Sequence, residues 1–77
     1  MEDIIIDYVL DIRGEPWPYP VTYALEALDN MKKGEVLQVI ADCPQSFQTV
    51  PEEITKHGYT LLGKEKQNQD LYFTIKV

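Results

Sequence analysis

The sequence predicts an α+β fold, a two-layer α/β sandwich of order βαβαββ with two helices on one face of a four-stranded mixed sheet. Three observations carry this expectation. Apolar residues recur two apart at Ile6, Tyr8, Leu10 and Ile12, and again at Leu71, Phe73, Ile75 and Val77, the period of a strand with one buried face. Between them Val21, Ala24, Leu25, Leu28 and Met31 fall at the spacing of a single helical stripe. Finally, 77 residues with 44% apolar content suit one domain, residues 1–77, around one core.

The first strand is expected over Ile4–Ile12, where β-branched and aromatic residues cluster around Asp7 and Asp11. Arg13-Gly14-Glu15-Pro16 ends it. The first helix starts near Pro18 and Pro20, because proline is tolerated where the first N–H groups have no intrahelical partner. Lys32 and Lys33 suit the negative end of that helix, and Gly34 suits its C′ position. Val36–Ala41 reads as the second strand, with Leu37, Val39 and Ala41 on one face and Val36 and Ile40, like Val9, on the nominally open one. A short turn at Pro44–Gln48 then leads to a helix restarted by a Thr49/Glu52 capping box, with Pro51 and the acids Glu52 and Glu53 in its first turn. Gly58 stops that helix. Tyr59–Lys66 and Leu71–Val77 form a hairpin joined by Gln67-Asn68-Gln69-Asp70. A strand–helix–strand crossover favours parallel pairing, so both helix starts should share one sheet edge. That edge is expected to collect unpaired N–H groups and positive dipole ends.

Charge narrows the function classes. The chain carries thirteen acids and seven bases, and nine of those acids against three bases lie in residues 1–42. Such a surface repels phosphate backbones, so direct nucleic-acid binding is not expected; a basic protein partner, or plain solubility, suits it better. A single cysteine, Cys43, excludes an internal disulfide and a multi-thiol zinc site. No basic and apolar leader opens the chain and no apolar run is long enough to span a membrane, so the cytoplasm is the expected location.

One motif goes further. Leu10-Asp11, the run Gly14-Glu15-Pro16-Trp17-Pro18-Tyr19-Pro20, Leu25, Leu28, Gly34, Leu37-X-Val39, Val50-Pro51, His57-Gly58 and Phe73-X-Ile75 follow in order along the whole chain. This pattern resembles the TusA/SirA family of small sulfur-carrier proteins. Asp42-Cys43-Pro44-Gln45-Ser46 adds a detailed likeness to its YedF-like branch. The resemblance implies the same two-layer fold and a role in moving persulfide sulfur between proteins, and no cofactor is expected. Its partners would be a cysteine desulfurase or a downstream acceptor. It also implies that the residue before Pro18 is a cysteine, which carries the sulfur as a persulfide and is helped to ionise by the helix start.

Here the chain departs from the family, because residue 17 is tryptophan. An indole has one N–H donor and no sulfur, so it cannot hold a persulfide. Three origins stay open: an engineered substitution, a degenerate natural member, or a scaffold used only for binding. Trp17 can be a partly exposed aromatic between prolines or an interface anchor of the kind enriched at binding hot spots. Cys43 is the candidate second thiol: its helix start favours thiolate, Asp42 opposes it, and a buried inert cysteine is the plainer alternative. The expected site is therefore Trp17 and Cys43 with Glu15, Pro18, Tyr19, Pro20, Asp42 and Pro44 around them. His57 reads as a helix-end charge rather than a metal ligand, and Ser46 and Thr49 as capping residues.

Overall fold

Each stretch with a clear period forms the element that period predicts. The computed structural model describes residues 4–77. Its elements run β1 (Tyr8–Asp11), α1 (Tyr19–Asp29), β2 (Val36–Ala41), α2 (Ser46–Lys56), β3 (Thr60–Gln67) and β4 (Asp70–Lys76). The sheet order is β1-β2-β4-β3, with β1 parallel to β2 and the other two pairings antiparallel. The crossover through α1 makes the first pairing parallel, and the hairpin makes the last antiparallel.

The core lies between the sheet and both helices. Leu37, Val39 and Ala41 of β2 and Leu71, Phe73 and Ile75 of β4 are buried on one face. Pro20, Ala24 and Leu28 of α1 and Val50 and Ile54 of α2 cover them at helical spacing. On the other face Val36 is buried, Ile40 is half-buried and Val9 is open.

Several local expectations give way. β1 is shorter than Ile4–Ile12, and its inward face is open: Ile6 and Tyr8 are 39% and 53% exposed, and only Ile12 is buried. An edge strand has a neighbour on one side only, so alternation there does not guarantee burial. Helix α1 stops at Asp29, before Lys32 and Lys33, because Asn30 Nδ2 reaches back to the Glu26 carbonyl at 2.8 Å. Gly34 instead serves the turn into β2, with φ +94° and its N–H donating to Val77 O at 2.8 Å.

Pro51 does not divide the second helical region. α2 runs unbroken from Ser46, so Thr49 lies inside it, bonded to Gln45 O at 2.9 Å, and the predicted capping box is absent. Glu52 and Glu53 accordingly fall in the second half of the helix rather than its first turn. Proline removes the N–H that would pair with Phe47 O. Lys64 Nζ from β3 donates to that carbonyl at 3.4 Å, and the same ammonium stands 4.2 Å from the Phe47 ring centroid. In the hairpin each strand reaches one residue further into the turn than predicted and ends one residue short at the other end, over Thr60–Gln67 and Asp70–Lys76. Gln67 pairs with Asp70, leaving a two-residue turn in which Asn68 takes φ +59°.

The end of α2 follows the expectation closely. Tyr59 N–H donates to Ile54 O at 3.0 Å and Gly58 N–H to Thr55 O at 3.0 Å, the two bonds of a Schellman motif. Gly58 holds φ +88°, and nothing lies within 4 Å of where a Cβ would sit. Gly58→Ala should therefore cost backbone strain without a clash, about 1 kcal/mol, read as a lowered urea midpoint with an unchanged m-value.

Candidate functional site

The parallel pairing of β1 and β2 sends the loops to α1 and α2 off one edge of the sheet. Two contacts tie that edge together. Gly14 N–H donates to Asp42 Oδ1 at 2.9 Å, joining the loop after β1 to the loop after β2. Arg13 grips Asp11 with Nε–Oδ1 at 2.9 Å and Nη2–Oδ2 at 2.7 Å, then reaches Asp70 at the start of β4 through Nη1 at 3.3 Å. Gly14 makes its turn at φ +91°. Sequence spacing alone offers no hint of the Arg13–Asp70 bridge.

The first of these loops presents aromatics. Trp17 and Tyr19 are 53% and 49% exposed, and the Tyr19 ring stacks on Tyr23 with centroids 6.0 Å apart. Pro18 is exposed, Glu15 half-buried and Pro20 buried, so Pro20 sets the helix start from the core side. In the second loop Asp42 and Cys43 are half-buried and Pro44 is exposed. Cys43 Sγ donates to Gln45 Oε1 at 3.1 Å. Ser46, the first residue of α2, is fully buried, and its hydroxyl has no partner among the described residues.

The expected pool of free N–H groups at the helix starts is largely absent. Pro18, Pro20 and Pro44 have no N–H to offer. Tyr19 N–H donates to Pro16 O at 2.9 Å, Val21 N–H to Pro18 O at 3.1 Å, Ser46 N–H to Cys43 O at 2.9 Å and Phe47 N–H to Pro44 O at 3.2 Å. Tight turns thus consume the donors that would otherwise hold an anion. What remains is the positive end of each helix dipole.

The hairpin adds a wall that sequence reasoning did not place here. A cleft of about 400 Å³ lies beside this edge, with Asp42, Pro44 and Phe47 on one side and Lys66, Asn68 and Gln69 on the other. Far from it, His57 is exposed with Nδ1 2.8 Å from Glu53 O. Among the described residues no cluster of His, Cys, Asp or Glu is arranged to hold a metal ion, and no helix is long and apolar enough to cross a membrane.

Electrostatics stiffen the rim. The Arg13 guanidinium, bonded side chain to side chain, holds the Asp11 carboxyl below the usual carboxylate range, and Asp11 in turn raises Arg13. A depressed carboxylate contributes stability above its ordinary pKa and loses it as pH falls through the lowered value. Asp11 should therefore keep its charge to lower pH than an unpaired aspartate in an acid NMR titration, and Arg13→Gln should remove that shift. Both groups are solvated, so global stability should change little.

Comparison with known proteins identifies what this architecture resembles. The family model described as sulfurtransferase TusA matches residues 8–77. A protein of Escherichia coli K12 named as a candidate sulfur carrier, YedF, is 43% identical over 76 residues, covering 99% of each chain. A candidate sulfur carrier of Thermotoga maritima is 44% identical over 57 residues, 74% of this chain and 72% of its own. Among solved structures, the SirA-like protein of Desulfitobacterium hafniense superposes with a TM-score of 0.77 at 29% identity, covering 91% of this chain and 96% of that one.

Proposed function

The chain belongs to the TusA family, and from that premise we propose that it is a sulfur-relay docking protein that cannot itself carry sulfur at position 17. Its partners on this reading are a cysteine desulfurase or a downstream sulfur acceptor, met in the cytoplasm where thiols stay reduced. The rim bearing Glu15, Trp17, Pro18, Tyr19, Asp42, Cys43 and Pro44 is the docking surface. Persulfide transfer needs a thiolate acceptor: it attacks the outer sulfur of the donor persulfide, one S–S bond forms, another breaks, and the donor leaves as thiolate. The observation that carries the proposal is the indole at residue 17, half exposed in the loop that opens α1. It offers an aromatic contact but no sulfur.

Cys43 is the one thiol left in the chain. It is half-buried and engaged with Gln45, which supports a second, slower thiol rather than a replacement carrier. Incubation with a cysteine desulfurase and cysteine, followed by intact-mass analysis, tests the reading. The chain should bind the desulfurase yet gain no stoichiometric sulfur. One sulfur per chain, abolished by Cys43→Ser, would overturn it by making Cys43 the carrier.

A further inference from the structure

The two edges of the sheet are protected very unequally. β3 carries Lys64, Glu65 and Lys66 and breaks register between Leu61 and Gly63, and charges and bulges of this kind discourage another strand from pairing. β1 has no lysine, and its pairing with β2 runs without a break. It presents Tyr8 and Val9 at 53% and 59% exposure, and no strand lies on its outer side among the described residues.

Helix α1 overhangs this edge. Its buried stripe is Pro20, Ala24 and Leu28, but a second stripe of Tyr23, Ala27 and Asn30 faces sideways over β1. Two adjoining depressions of about 350 and 370 Å³ meet at Leu10, Ala27 and Asn30. Glu26 is the charged residue in their lining. The apolar stripe of α1 is wider than four strands can cover.

We infer that the β1 edge and the α1 overhang form a docking groove for an extended, basic segment of a partner protein, which adds a fifth strand beside β1. Unpaired strand edges are satisfied by strands, and alternate side chains of the guest would enter the two depressions. Charge selects the guest. Glu26 lines the groove, Asp7 and Asp11 bracket the exposed stretch of β1, and the chain carries a net charge of −6, so a cationic segment is attracted. A second copy is disfavoured, because antiparallel self-pairing about Val9 would set Asp7 opposite Asp11 twice, between chains of net charge −6.

The inference does not depend on sulfur chemistry at residue 17, so it and the proposed sulfur-relay role can fail separately. The test uses the intact chain, isotope-labelled, titrated with a soluble peptide of alternating Lys and Val and with its Glu/Val counterpart. The basic peptide should bind about tenfold more tightly at low salt, since one unfavourable charge contact is worth that factor. It should slow amide exchange in Tyr8–Asp11, shift Tyr23 and Ala27, and weaken as salt rises. Glu26→Lys, on an exposed helix position, should weaken it severalfold, while Glu65→Lys on the far edge should not. Absence of saturable binding, equal binding of the acidic peptide, shifts confined to β3, or a chain that sediments as a dimer through β1 would each overturn the inference.

Discussion

A Trp17→Cys variant should take up close to one sulfur per chain from a cysteine desulfurase under conditions where the unaltered chain takes up almost none. The scaffold around residue 17 is otherwise that of a carrier-family member: a Pro-flanked loop, a helix start with its positive dipole end, and a rim held by Gly14 and Asp42. The substitution removes a half-exposed side chain, so it leaves no cavity and should cost little stability. A thiol there meets the dipole without a competing carboxylate in the first turn of α1, which favours thiolate. Persulfide formation read by intact mass, with Cys43→Ser in the same chain to assign the site, checks it. A Trp17→Cys chain that stays unloaded although it binds the desulfurase would show that the rim, not just the thiol, has diverged.

The largest stability effect should come from Phe73. Its ring is fully buried on the central strand β4, opposite Val39 of β2 and 6.4 Å from the Phe47 ring of α2. Phe73→Ala removes that contact on all sides and should cost about 3–5 kcal/mol. A chain of this size has a total stability of roughly 4–12 kcal/mol, so the variant loses a quarter or more of it and is partly unfolded at room temperature if the parent lies at the low end. With an m-value near 1 kcal/mol/M in urea, the midpoint should fall by about 3 M or more. Phe73→Leu keeps most of the volume and should cost roughly 1–2 kcal/mol. An alanine variant with an unchanged midpoint would mean the core is not centred on β4.

The legible parts of the fold are those written in local period. Leu71, Phe73 and Ile75 alternate and are buried, and Ala24 and Leu28 share a helical stripe and are buried. Gly58 ends α2 because only a residue at ease with positive φ closes that turn. Pro51 shows the limit of such reading. Proline is a helix breaker by its own chemistry, yet Lys64, thirteen residues on and in another layer, supplies the donor that Phe47 O lacks. The β1 alternation fails for a like reason: Tyr8 has the residue type and spacing of a buried position, but only the sheet order reveals that it lies at an edge.

At the candidate site the division is similar. Residue identity, read directly from the chain, decides that position 17 has no thiol and that Cys43 is the sole sulfur nucleophile. The supply of free N–H groups is decided by the turns, where carbonyls of Pro16, Pro18, Cys43 and Pro44 take up the donors.

By itself, then, the amino-acid order determined the element types, the core stripes of α1 and β4, the family and the absence of a thiol at residue 17, since these follow from backbone period and side-chain composition. Tertiary structure alone decided which strand edge lies open, how Arg13 and Asp42 close the rim, and what rescues the helix at Pro51. Those outcomes depend on groups far apart in the chain meeting in space, and contacts of that kind leave no periodic trace in the sequence.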